Sequence, residues 1–151
     1  MDLDAIVFDL DGTLADIAQR LHFLKTNKKD WDGFFSAIPS DEPIQPLVDL
    51  VITLLKVNEK TVLFATSRPE RTREDTEAWL LKHGIKADFQ SCLFMRPDGD
   101  QRPDSIVKRE ILARMRNAGF EPKLVFDDRQ SVVDMWREQG IRVAQVAPGD
   151  F

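Results

Sequence analysis

The chain has one cysteine and no long hydrophobic run. Because an internal disulfide needs two cysteines, Cys92 cannot form one, and we expect a protein of the reducing cytoplasm. No apolar stretch approaches the length that crosses a bilayer, and the N-terminus lacks the basic start of a signal peptide. We therefore expect no membrane partner.

Positive charge is also in the minority, with 21 Lys and Arg against 26 Asp and Glu, a net charge of −5. Nucleic-acid binders usually present a basic face, so this balance argues against tight binding along an extended duplex. A hydrophobic fraction of 42% and a charged fraction of 31% are typical of a globular domain. We predict a single domain over residues 1–151, since this length suits one domain better than two.

Short apolar runs alternate with longer amphipathic stretches along the chain. This alternation predicts an α/β fold with a central, mostly parallel sheet. The predicted strands are residues 5–8, 61–65, 92–95, 123–126 and 142–146, and the predicted helices are residues 46–55, 71–83, 104–118 and 130–139. Residues 15–45 interrupt this alternation with aromatic and turn-forming residues, and we predict a helix followed by an irregular excursion. That excursion is either a small lid or a wrapped connection.

Two acidic residues, Asp9 and Asp11, follow the first predicted strand, and Gly12 and Thr13 come directly after them. In open α/β sheets, ligands bind beyond the carboxyl ends of strands, where these residues fall. Two carboxylates buried there need a neutralising cation, and hard oxygen ligands favour Mg²⁺. Gly12 permits the turn, and Thr13 offers a hydroxyl and a backbone donor to an anion. The pattern predicts a magnesium site with room for a phosphate.

Two later strand ends carry further polar groups. Asp127 and Asp128 follow the fourth apolar run, so four carboxylates are predicted to converge on one metal. Thr66, Ser67 and Arg68 follow the second run. Their hydroxyls and guanidinium group suit the oxygens of a phosphate.

Lys108 lies about one turn into a predicted helix, where position alone favours an ordinary surface lysine. Taken in chain order, however, the polar groups resemble the four motifs of the haloacid dehalogenase (HAD) superfamily. These motifs are Asp9-x-Asp11-Gly12-Thr13, then Thr66, then Lys108, then Asp127-Asp128. The second half is similar, more specifically, to the 3′-phosphatase domain of phage-type polynucleotide kinase/phosphatases, over residues 99–102, 104–110, 126–137 and 145–151. The resemblance implies a three-layer, Rossmann-like HAD fold with at most a minimal cap at about residues 15–45, and it makes a phage or bacterial origin plausible.

The resemblance also implies a mechanism. Asp9 would be the nucleophile that forms an aspartyl-phosphate, and Asp11 would protonate the leaving oxygen and then deprotonate the attacking water. Mg²⁺ would be held by Asp9, the carbonyl of Asp11 and Asp128, with Asp127 as a partner or second ligand.

Other residues would hold the phosphate. Thr66 and Lys108 would bind the transferring oxygens, and Asp104 would position Lys108. Five residues are expected to contact the substrate, namely Thr13, Arg20, Ser67, Arg68 and Arg102. The triplet Thr66-Ser67-Arg68 departs from the family's Ser-Gly-Arg, but threonine retains the hydroxyl.

The resemblance thus implies a polynucleotide 3′-phosphatase acting on DNA or RNA ends. Two alternatives stay open: a phosphatase of free nucleotides or other small esters, and a non-catalytic module that binds nucleic-acid ends. The chain has no Gly-x4-Gly-Lys-Ser/Thr, so it contains no P-loop kinase. It is therefore either a lone phosphatase or a fragment that works with a kinase or ligase domain or partner.

The negative net charge does not exclude such a substrate. Binding one strand end needs few phosphate contacts. Seven arginines are candidates for a basic rim, namely Arg20, Arg68, Arg71, Arg73, Arg96, Arg102 and Arg109. Trp31, Phe34 and Phe35 are candidates for stacking on a base, although we expect such a cluster to pack inward.

Overall fold

A computed structural model describes residues 2–57, 59–149 and 151, and it contains seven strands. Asp150, part of the segment 145–151 that carries the family resemblance, lies outside the described residues, as do Met1 and Asn58. The strands are β1 (Leu3–Phe8), β2 (Ala15–Asp16), β3 (Glu42–Pro43), β4 (Thr61–Pro69), β5 (Leu93–Arg96), β6 (Phe120–Asp127) and β7 (Arg142–Gln145). Five of them form the central sheet in the order β5-β4-β1-β6-β7, and every neighbouring pair is parallel. The predicted parallel α/β sheet is confirmed.

The helices occupy the segments between the strands. The α-helices are α1 (Trp31–Ser36), α2 (Gln45–Leu55), α3 (Arg73–Lys82), α4 (Phe89–Cys92), α5 (Asp104–Asn117) and α6 (Gln130–Glu138), and three 3₁₀ helices span Ala18–Leu24, Ile38–Ser40 and Glu70–Thr72. The chain runs from β1 outward to β4 and β5, then crosses back to β6 and β7. Right-handed crossovers therefore place α2 and α3 on one face of the sheet and α5 and α6 on the other. None of the described helices is long and apolar enough to cross a bilayer.

The core lies between the central strands and these helices. Val7 and Phe8 of β1 are fully buried, and the ring of Phe8 stacks on Phe126 of β6 with centroids 4.6 Å apart. Cys92, predicted to open a strand, instead ends α4 and is buried there. Burial raises the pKa of its thiol to about 12, so Cys92 is not a nucleophile at neutral pH.

The predicted boundaries differ most from the structure in the 15–45 segment and at the end of β4. The segment 15–45 is closed by the antiparallel pair β2–β3, and it contains two 3₁₀ helices and α1 rather than one helix and a loop. Strands of two residues carry no periodicity that a sequence pattern can detect. Strand β4 continues to Pro69, four residues past the predicted end at Ala65. The polar residues Thr66, Ser67 and Arg68 resemble a turn in sequence, but they extend the strand into the site.

The C-terminal segment packs closely on the end of β6. The Gly149 carbonyl accepts a hydrogen bond from the Gln130 amide at 2.7 Å, and the Gln145 side chain donates to the Asp128 carbonyl at 3.0 Å. A Cβ at Gly149 would lie 1.8 Å from that same carbonyl oxygen. Only glycine fits at residue 149 without moving the backbone of Asp128.

We expect Gly149→Ala to lower the free energy of unfolding by roughly 1–3 kcal/mol, because the added methyl group forces the two backbone segments apart. Urea unfolding of the variant measures the change. Pro148→Ala is the control, since Pro148 is exposed and its replacement should cost no more than about 1 kcal/mol, through the added freedom of the unfolded chain. Equal midpoints for the two variants would contradict the close approach.

Candidate active site

The site lies at the carboxyl ends of three neighbouring strands. Phe8, the last residue of β1, is in register with Phe64 of β4 and with Phe126 of β6. The residues that follow these positions, including Asp9, Thr66 and Asp127, therefore reach the same edge of the sheet. A site beyond the strand ends is where open α/β sheets bind ligands.

Three buried carboxylates form what we call the acidic cluster: Asp9, Asp127 and Asp128. One oxygen of each lies within 4.8 Å of the others. The Lys108 ammonium group donates to Asp9 Oδ1 at 2.7 Å and to Asp127 Oδ2 at 2.8 Å. Thr13 donates to the second oxygen of Asp9 at 3.0 Å. Lys108 is thus a buried partner of the cluster and not the surface lysine that its position in the sequence suggests.

The acidic cluster carries more negative charge than Lys108 neutralises. Burial and the charges of Asp127 and Asp128 raise the pKa of Asp9 well above its usual value, despite the opposing effect of Lys108. Burial also raises the pKa of Asp128. Burial alone would lower the pKa of Lys108, but Asp127 and Asp9 outweigh it, and its pKa is raised. The cluster therefore has a fixed cation and an excess of carboxylate.

This excess fits a divalent metal ion. Three carboxylates whose oxygens converge are hard ligands of the kind that Mg²⁺ takes. Gly12 adds a second observation, because it has φ +83° and a Cβ there would lie 2.0 Å from Asp128 Oδ2. The backbone that follows β1 thus passes directly beside the Asp128 carboxylate that follows β6. Groups from both strand ends can therefore bind one metal ion.

Asp11 lies beside the acidic cluster in sequence but has different partners. Its Oδ1 accepts hydrogen bonds from Arg20 Nη2 at 2.7 Å and from Arg68 Nη2 at 2.5 Å. Burial raises the pKa of Asp11, but the guanidinium groups of Arg68 and Arg20 outweigh it, and the pKa is lowered overall. We call Arg20 and Arg68 the arginine pair; both are almost completely buried.

Asp41 holds the arginine pair, and the sequence reasoning did not identify it. Both Asp41 oxygens accept from Arg20 Nε, at 2.9 and 3.1 Å, and Oδ2 also accepts from Arg68 Nη2 at 3.4 Å. Its backbone carbonyl accepts from the Trp79 indole at 2.9 Å. Asp41 comes from the 15–45 segment, where a lone aspartate carries no motif, so only the folded chain places it in the site.

The hydroxyl groups of the second motif lie at the end of β4. Thr66 is buried, and its Oγ1 accepts from the Arg68 amide at 3.1 Å. The hydroxyl of Ser67 has no hydrogen-bond partner among the residues that the structure describes. Thr66 thus contacts the backbone of Arg68, and the binding of phosphate by Thr66 and Ser67 stays a prediction.

Arg102, expected to contact the substrate, and Asp104, expected to position Lys108, have other partners in the structure. Arg102 is half-exposed, and it pairs with Asp100 and with Glu110, each at 2.7 Å. Among the described residues, no hydrogen bond or ion pair joins the side chains of Asp104 and Lys108. Asp104 accepts from Arg96 at 2.6 Å and from Arg129. Lys108 is positioned instead by its hydrogen bonds to Asp9 and Asp127.

The arginines expected at one rim are mostly paired with acids. Besides Arg96 and Arg102, the structure pairs Arg73 with Glu70 and Arg109 with Glu138, the latter at 3.9 Å. Arg71 is exposed, and it lies 3.8 Å from Asp32. The basic groups are therefore divided among separate ion pairs, and the arginine pair is the part that reaches the site.

Solved structures show which fold this arrangement belongs to. Against the Pnkp1/Rnl/Hen1 RNA repair complex, the chain aligns with a TM-score of 0.83 and 31% identity, covering 99% of this chain and 44% of that one. A class C acid phosphatase from Bacillus anthracis aligns with a TM-score of 0.70 and 16% identity, over 99% of this chain and 67% of that chain. The second likeness shows the HAD-type fold alone.

Sequence comparison identifies the family. A viral protein from Autographa californica nuclear polyhedrosis virus, named for a bifunctional polynucleotide kinase/RNA ligase, is 28% identical over 134 residues, 89% of this chain and 18% of its own length. The chain thus spans about a fifth of that relative. The model of the polynucleotide kinase PNKP phosphatase domain matches residues 3–151, which confirms the resemblance drawn from the motifs. The chain belongs to the family of PNKP-type polynucleotide phosphatase domains.

Proposed function

We propose that the protein is a Mg²⁺-dependent polynucleotide 3′-phosphatase. The observation that carries the proposal is the buried acidic cluster around Lys108, with the arginine pair on the neighbouring Asp11. A module that only binds nucleic-acid ends would not need a buried nucleophile with a second carboxylate beside it. Membership of the polynucleotide phosphatase family supports the choice of substrate class.

The proposed reaction has two displacement steps on one phosphorus atom. A carboxylate oxygen of Asp9 attacks phosphorus, the bond to the ribose O3′ breaks, and Asp11 gives its proton to that oxygen. Water then attacks the aspartyl-phosphate, Asp11 takes a proton from it, and phosphate leaves with the Asp9 carboxylate restored. Mg²⁺, held by Asp9, Asp128 and the Asp11 carbonyl with Asp127 beside them, would supply the positive charge that lets an anionic carboxylate approach an anionic phosphate.

The arginine pair provides a way to change the protonation of Asp11. Without substrate, Arg20 and Arg68 hold the pKa of Asp11 low, so that its carboxylate is ionised. A terminal phosphate carries the same charge as that carboxylate and competes for the same guanidinium groups. We infer that the arriving phosphate draws the arginines from Asp11, which raises its pKa and lets it act as the general acid.

The partners of the reaction are proposed from the relatives. One relative is named for kinase and RNA ligase activities, and another is part of an RNA repair complex. A 3′-phosphate blocks ligation, so a phosphatase that removes it would act together with a kinase or ligase domain or partner. The short 15–45 segment between β1 and α2 leaves no room for a large cap, which suits the end of a polymer.

We expect a 3′-phosphorylated oligonucleotide to release phosphate faster than a 5′-phosphorylated one or a free 3′-nucleotide, and only with Mg²⁺. Release is measured colorimetrically with each substrate, with Mg²⁺ and with a chelator. Equal or faster release of phosphate from the 5′ end would contradict the proposed specificity for a 3′-phosphate. Faster release from the free nucleotide would favour the small-ester phosphatase instead.

Asp9→Asn should reduce turnover by at least about a thousandfold, because an amide is not a nucleophile toward phosphorus. The metal-free variant should remain folded, since removing one charge relieves the crowding that raises the pKa of Asp9. Phosphate release and thermal unfolding test the two statements. Asp134→Asn, on the exposed surface of α6, is the control that should leave both unchanged. Full turnover by Asp9→Asn would rule out the covalent step.

Asp41→Asn should lower the free energy of unfolding by roughly 3–5 kcal/mol, because it leaves the buried arginine pair with one carboxylate fewer. Urea unfolding measures the loss. Asp49→Asn provides the control, because Asp49 is exposed on α2 and should tolerate the change within about 0.5 kcal/mol. An unchanged midpoint for Asp41→Asn would show that Asp11 alone suffices to hold the two arginines.

A further inference from the structure

An aromatic cluster lies on helix α1 and is only partly buried. We call Trp31, Phe34 and Phe35 the aromatic patch. Phe34 is buried, but Trp31 is 45% exposed. The Trp31 ring is stacked on Phe35 with centroids 5.8 Å apart and meets the edge of Phe34 at the same distance. The expected inward packing therefore holds for Phe34 and fails for Trp31, whose ring faces solvent from a fixed position.

The aromatic patch is joined directly to the site. The guanidinium carbon of Arg20 lies 4.3 Å from the centre of the Phe34 ring, and Arg20 Nη2 binds Asp11. The side chains of Arg20 and Phe34 therefore form a chain of contacts from Asp11 to the exposed ring of Trp31. A second link comes from Arg71, three residues after Arg68, which lies 5.1 Å from the centre of Phe35. The aromatic patch thus lies directly beside the site.

Charged groups of both signs lie around the exposed ring, with the positive ones in the majority. Lys29 Nζ lies 5.7 Å from the centre of the Trp31 ring, and Lys28 and Lys29 line a shallow depression beside it. Two acids are also present: Asp30 accepts from the Gly33 amide at 2.9 Å, and the exposed Asp32 lies 3.8 Å from Arg71. The cations Lys28, Lys29 and Arg71 therefore outnumber the acids by one. An exposed tryptophan among lysines and an arginine suits a ligand that combines flat rings with negative charge.

We propose that the aromatic patch is a platform on which the 3′-terminal strand of the substrate lies as it leaves the site, with a base stacked on Trp31. Lys28, Lys29 and Arg71 would contact the backbone phosphates of the same strand. This inference rests on the proposed function and extends it from the reacting phosphate to the adjoining nucleotides. Stacking on an aromatic face is independent of sequence, because every base offers a flat face, and this suits an enzyme that acts on ends of any sequence.

The test compares two substrates that share the reacting phosphate. For Trp31→Ala we expect kcat/KM on a ten-nucleotide 3′-phosphorylated oligonucleotide to fall roughly tenfold, through KM, because one stacking contact is lost. On a nucleoside 3′-monophosphate, which is too short to reach the patch, kcat/KM should not change. Trp31→Phe should retain most of the activity. Leu3→Ala is the control, because Leu3 is also an exposed apolar residue and lies at the far end of β1 from Asp9.

Equal losses on both substrates would show that Trp31 supports the site rather than the strand, and would overturn the proposal, as would no loss on either. A wild-type enzyme that hydrolyses only the mononucleotide would instead overturn the proposed function. The double variant Lys28→Ala, Lys29→Ala gives a second measure that does not disturb the rings. It should weaken binding of the oligonucleotide and reduce the dependence of that binding on salt.

Fluorescence measures the stacking without turnover. The chain has three tryptophans, and Trp79 and Trp136 are buried, so Trp31 is the one that a base can reach. In the inactive Asp9→Asn protein, a 3′-phosphorylated oligonucleotide should quench the emission, inorganic phosphate should not, and Trp31→Phe should abolish the quenching. Emission that changes with protein concentration but not with oligonucleotide would place a second copy of the chain on the patch and overturn the proposal.

Discussion

Lys108 donates hydrogen bonds to Asp9 and to Asp127, and through them it joins helix α5 to the ends of strands β1 and β6. Without this buried ammonium group, three carboxylates would face one another at the sheet edge with no fixed counter-charge. The cluster still has an excess of negative charge with Lys108 in place, as the raised pKa of Asp9 shows. That excess creates the place for a metal ion, and the same ammonium lies next to the carboxylate that would attack phosphorus.

A second set of buried charges lies beside the first and has the opposite balance. Arg20 and Arg68 face Asp11 and Asp41, and the pKa of Asp11 is lowered where that of Asp9 is raised. Two carboxylates two residues apart thus have opposite electrostatic environments. The proposed reaction needs an ionised Asp9 and a protonated Asp11, so it depends on a cation at Asp9 and on a substrate phosphate that draws the arginines from Asp11.

The 15–45 segment contributes more to the site than its length suggests. It supplies Arg20 and Asp41, and its helix α1 covers Arg20 with Phe34 while leaving Trp31 exposed. The β2–β3 pair ties both ends of the segment together, next to the loop that carries Asp11. The segment therefore serves as one wall of the site, and its outer surface is the aromatic patch.

The sequence by itself determined the sheet, the order of its main elements and the motif carboxylates, because apolar runs and strand-end acids are local patterns. It also determined the family, since long matching segments are specific. Only the tertiary structure decided that Lys108 is buried, that Asp104 binds Arg96 and that Arg102 lies in a surface ion pair. Only the structure revealed Asp41. The physical reason is that a charge is stabilised by whichever opposite charge the fold brings near, and such partners can be 99 residues apart, as Lys108 and Asp9 are.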